Sequence, residues 1–184
     1  MTKVLEKLYS ALALGAVLAL IVLLAVHGKD VAGKTYWGPF VTVLHVISGI
    51  TWIGLLYYFN LVQIPTMPRI PAELKPGVSK FIAPEALFWF RWSALSTVVT
   101  GLIVIALSPE VATKTLYIGM LLGLIMAFNV WFIIWPNQKK ALGIVPADDA
   151  TKAKAARTAM LFSRTNFALS VPMLYCMVMS RLVG

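Results

Sequence analysis

The chain has 184 residues, 60% of them hydrophobic and only 12% charged, with a mean hydropathy of +0.84. A soluble domain carries roughly 25% charged residues, so this composition excludes a globule with a water-compatible surface. The net charge of +9 lies between apolar runs, a pattern that fits positive-inside topology and no nucleic-acid surface.

A spanning helix needs about 20 mainly apolar residues. Barrel strands are shorter and alternate in polarity, and no such alternation is visible. The expected fold is therefore all-α: an integral membrane helical bundle, one transmembrane domain over 1–184, with about five spans in contact with the lipid bilayer.

The first span is expected at 8–26. A signal peptide is the competing reading. The apolar run exceeds the usual core of roughly 7–15 residues and no clear small-x-small site follows before Gly28, which favours a retained helix. Gly28, Asp30 and Gly33 mark a turn. The second span covers 37–64, with Trp37, Tyr57 and Tyr58 near its ends, where amphipathic rings favour the interface. Pro65, Pro68, Pro71, Pro76 and Pro84 follow. Proline breaks the helix ladder, so this connector reads as a loop outside the hydrocarbon with one short helix around 77–82.

The third span covers 87–107 and ends at Ser108-Pro109; the fourth covers 116–135 and ends at Pro136. A polar stretch then leads to a helix start at 150–157, with Asp148 or Asp149 as N-cap. It continues into the fifth span, 160–183, where Pro172 is expected to introduce a kink.

Loop charges set the orientation. With the N-terminus inside, ten basic residues are internal: Lys3, Lys7, Arg69, Lys75, Lys80, Lys139, Lys140, Lys152, Lys154 and Arg157. Four are external: Lys29, Lys34, Lys114 and Arg181. That bias predicts N-in and C-out.

Small residues recur four apart at Ser93, Thr97 and Gly101, and at Gly119, Gly123 and Ala127. Such rows let helix backbones approach closely. They imply either packing of spans three and four or a homo-oligomer interface. Cys176, the one cysteine, excludes an internal disulfide and a CxxCH haem attachment and reads as a packing residue.

His45 is the residue to watch. It lies eight residues into span two, roughly 12 Å deep at about 1.5 Å per residue. Ionisable residues at such depth usually face a bundle interior and mark function. Gly49 lies one turn on and Trp52 two turns on, on the same face. A glycine beside a histidine leaves a recess in which flat haem would lie with the imidazole on iron; the alternative is that Gly49 only admits a neighbouring helix. The second axial ligand is His27, a methionine (Met120, Met126, Met173, Met177 or Met179) or none. Arg91, within Phe88-Trp89-Phe90-Arg91-Trp92, either pairs with a propionate or snorkels to the inner headgroups. Asn60, Gln63 and Asn129 are expected to bond between helices.

The run from His45 to Gly54 (HVISGITWIG) resembles the second helix of the bacterial membrane-bound urate oxidases. Phe88 to Trp92 and Thr100-Gly101 resemble the next long helix of that family. The likeness is to short stand-alone homologues of its N-terminal membrane domain. The histidine-bearing helix is also similar to the haem-associated protoporphyrinogen oxidases of bacteria. The resemblance implies a multi-pass protein of the bacterial cytoplasmic (inner) membrane that binds haem b, with His45 as metal ligand; the shared helix face adds Gly49 and Trp52, and the propionate reading adds Arg91, as the expected cofactor-binding residues. It further implies oxidoreductase chemistry with an electron-transfer partner. The sequence lacks the CxxCH of the full-length enzymes, so electron transfer is expected rather than urate oxidation. The alternative function is a cofactor-free membrane scaffold or accessory subunit that forms an oligomer or joins a larger complex.

Overall fold

Long apolar runs have one way to satisfy their backbone where water is absent, which is to bond internally as helix. The computed structural model describes residues 2–33 and 36–183, and its regular structure is helical with no strand among the described residues. After a short turn at Thr2–Leu5, the long helices are α1 (Leu8–His27), α2 (Trp37–Arg69), α3 (Lys75–Leu107), α4 (Lys114–Ala141) and α5 (Asp149–Leu182). Two compact units emerge, Met1–Phe40 and Val41–Gly184.

Helices α1 to α4 are each long and apolar enough to cross a membrane. The fifth differs from the expected span. Arg164, Asn166 and a series of serines interrupt its apolar run, so α5 is long enough to span but falls short in apolarity. Its polar residues point inward: Ser163, Asn166, Ser170 and Ser180 are buried.

The prolines behave differently from the expected loop. Only residues 70–74 between α2 and α3 are non-helical. Pro65, Pro84 and Pro136 sit inside helices, each two residues beyond a π-helical turn at Tyr58–Gln63, Val78–Ile82 and Asn129–Ile134. Proline in an ordinary helix clashes with the carbonyl one turn back. A π turn is wider by one residue, which moves that carbonyl away from the ring. The second and third helices therefore reach further into the connector than 64 and 87.

Within the second unit the core is built by α2 to α5. Trp52, Leu56, Phe90, Met126 and Val130 are almost fully buried, and Phe59 meets Phe90 edge-on at 5.4 Å. Polar side chains tie the helices. Asn60 Nδ2 donates to Ser163 Oγ at 2.9 Å. Asn129 Nδ2 donates to Asn166 Oδ1 at 2.8 Å, and Asn166 Nδ2 to the Met126 carbonyl at 2.9 Å. Gln63, expected to join them, leaves its buried Oε1 without a partner among the described residues. The small-residue row of α4 meets α5: a Cβ on Gly119 would lie 3.0 Å from Cys176 Cβ. Thr113 caps α4 by accepting from Leu116 N at 3.1 Å, and Asp148 caps α5 by accepting from Thr151 N at 2.7 Å.

Candidate functional site

His45 projects from α2 towards α3. Its Nδ1 lies 2.8 Å from the Thr97 carbonyl oxygen and 3.3 Å from Thr100 Oγ1. A carbonyl only accepts, so Nδ1 carries the proton and donates. The Thr100 hydroxyl donates to the Ser96 carbonyl at 2.6 Å, so towards the imidazole it too acts as acceptor. Nε2 is thereby left as the basic nitrogen, and it makes no hydrogen bond to the described residues. One turn further along, Ser48 Oγ and Ser96 Oγ bond at 2.8 Å and hold the two helices in register.

Gly101 is what lets the ring lie here. A Cβ at that position would stand 3.0 Å from His45 Cε1 and 3.2 Å from Nδ1. Gly49 is less confined, since a Cβ there would meet only Thr97 Cγ2, at 3.9 Å.

His45, Gly49 and Trp52 line one cavity of about 500 Å³, within the range of cofactor pockets. The rest of its wall is mostly apolar and includes Thr97 and Gly101 of α3, Met120 and Gly123 of α4, and Met173 and Met177 of α5. Of the sequence-predicted residues, Arg91 does not line it. Arg91 stacks on Trp135 instead, with its Cζ 3.4 Å from the ring centroid. The charged residue on the cavity wall is Arg181, near the end of α5. In the sequence Arg181 reads as a terminal loop charge, and the fold brings it to the site. Trp52 is 2% exposed, and its indole N–H has no acceptor among the described residues.

The candidate methionines separate. Met120, Met173 and Met177 line the cavity, whereas Met126 is packed in the core. His27 belongs to the first unit, where its Nδ1 lies 3.6 Å from Asp30 Oδ2 and its ring meets Tyr36 at 5.9 Å. Among the described residues no three His, Cys, Asp or Glu side chains converge as a metal cluster.

No curated protein and no solved structure matches this chain. A family model does: residues 110–182 match the urate oxidase N-terminal family. The matched stretch covers the whole of α4 and α5, and so supplies Met120, Met173, Met177 and Arg181 of the cavity wall but not His45. The match spans less than half of the chain and is a likeness of its α4–α5 region to that family.

Proposed function

We propose that the protein is a five-span membrane protein of the bacterial cytoplasmic membrane, N-in and C-out, that binds b-type haem in the α2–α5 cavity and takes part in electron transfer. The observation that carries this reading is the His45 imidazole, whose Nδ1–H is donated to the Thr97 carbonyl. Metal-binding histidines are held in this way, by a carbonyl that fixes the tautomer and leaves the other nitrogen basic.

The cavity residues fit a flat, mostly apolar group. Gly101 keeps the α3 side of the imidazole low, Gly49 leaves open space one turn on from it, and the wall around them is mainly aliphatic. Met120, Met173 and Met177 offer thioethers from the opposite helices. Arg181 supplies a positive charge for a carboxylate, the role that the sequence assigned to Arg91. Bound haem supplies one-electron redox chemistry. The chain's own contribution is to hold the imidazole in one orientation within a mainly aliphatic wall.

The test is an absorption spectrum of the purified protein after haem-replete expression. A Soret band is expected in the wild type and its loss in His45→Ala. A colourless wild type, or an unchanged band in the variant, rejects the reading.

A cofactor-free scaffold is the second reading. It rests on α1, which is apolar along its length and contributes no buried residue. That reading predicts a colourless oligomer, or a larger complex, that tolerates His45→Leu.

A further inference from the structure

Around Trp135, on α4, cations gather without an anion. The Arg91 guanidinium from α3 lies on the indole face at 3.4 Å, and Lys139 Nζ approaches the same ring at 5.7 Å. Neither cation has a carboxylate partner: the ion pairs among the described residues are His27–Asp30 and Lys152–Asp149. The acid nearest along α3, Glu85, accepts instead from Trp89 Nε1 at 3.1 Å. Two buried donors are also without acceptors here, Arg91 Nη1 and Trp131 Nε1, with Trp131 one turn before Trp135 and edge-on to Trp92 at 5.5 Å.

Two like charges sharing one ring repel, and a buried guanidinium nitrogen without an acceptor costs free energy. An anion relieves both. The surroundings specify its kind. Phe88, Trp92 and Phe132 are exposed apolar aromatics on the same two helices, so charge and lipid-compatible surface adjoin. Basic sites between spanning helices at this level suit phosphate headgroups.

We infer that Arg91, Lys139 and Trp135 form a binding site for the phosphate headgroup of an anionic lipid, seated between α3 and α4. The guanidinium and ammonium take the phosphate, and the acyl chains lie along Phe88, Trp92 and Phe132. This site is separate from the His45 cavity and does not rest on haem binding.

The experiment is native mass spectrometry of the full chain in detergent, titrated with dioleoyl phosphatidylglycerol or dioleoyl phosphatidylcholine. The wild type should retain phosphatidylglycerol preferentially. Removing one cation, in Arg91→Gln or Lys139→Gln, should lower that retention about fivefold. Lys139 lies at the polar end of α4, so its variant decides the matter if Arg91→Gln fails to fold. Equal retention of the two lipids by the wild type overturns the site, as does wild-type retention in the charge variants. Displacement of phosphatidylglycerol by equimolar inorganic phosphate overturns the lipid assignment in favour of a free-anion site.

Discussion

The imidazole of His45 and the backbone carbonyl of Thr97 are 2.8 Å apart, and this bond joins α2 to α3 at the wall of the cavity of about 500 Å³. Its geometry depends on Gly101, one turn after Thr97. Gly101→Val would place side-chain atoms where His45 Cε1 now sits. Overpacking of this kind costs about 1–3 kcal/mol. The expected outcome is a folded but less stable protein and, on the proposed haem reading, a lower Soret-to-protein absorbance ratio. Thr100→Val removes the longer, 3.3 Å contact to the ring, together with the hydroxyl's own bonds back along α3, but keeps the Thr97 acceptor and should leave that ratio near wild type.

Gly119 tests the seam between α4 and α5. A side chain there meets Cys176 Cβ at 3.0 Å and the Met177 backbone nitrogen at 3.4 Å. Backbone cannot yield as a flexible side chain can, so Gly119→Val should destabilise by about 1–3 kcal/mol. Gly123, four residues on, faces open space. Gly123→Ala should therefore leave the thermal midpoint in detergent unchanged.

The buried amides of Asn129 and Asn166 form a linked pair that ends on the Met126 carbonyl. Asn166→Leu strands the Asn129 side-chain donor, at a cost of about 1–3 kcal/mol, whereas the Met126 carbonyl keeps the Asn129 backbone N–H. The double variant Asn129→Leu/Asn166→Leu leaves fewer stranded groups. It should recover part of the loss in a denaturation series, and a double variant less stable than the sum of the singles would contradict this account.

Asp148 gives a pH dependence outside the spans. The Thr151 backbone N–H, and then its hydroxyl, hold the Asp148 carboxyl below the usual carboxylate range. A depressed value means that the folded state favours the carboxylate. Its support for the first turn of α5 is therefore present above about pH 4, where the unfolded group ionises, and is lost as pH falls through the folded value. Amide exchange at Thr151 and Lys152 should accelerate, relative to its ordinary pH trend, on acidification below that point. In Asp148→Ala this extra acceleration should be absent.

Much of this molecule was legible locally. Apolar length alone marked α1 to α4, and the depth of His45 within its span singled it out before any contact was known. The prolines misled because a local rule has a local exception: π turns before Pro65, Pro84 and Pro136 carry the helices past residues that end an ordinary helix. Asp148 was readable as a cap, because capping is decided within three residues.

What only the tertiary structure decided is which faces meet. Helices that are apolar all round carry no amphipathic stripe to say which side turns inward. The sequence therefore offered Arg91 to a cofactor and left Arg181 as an external terminal charge, whereas the packing sends Arg91 to Trp135 and Arg181 to the cavity wall. The acceptor for His45 is a backbone carbonyl, a group that every residue has and no pattern can single out. By itself the sequence determined the helical, membrane-compatible class and the histidine to watch. Rotation and close approach, set by Gly101 against His45 and Gly119 against Cys176, determined the site.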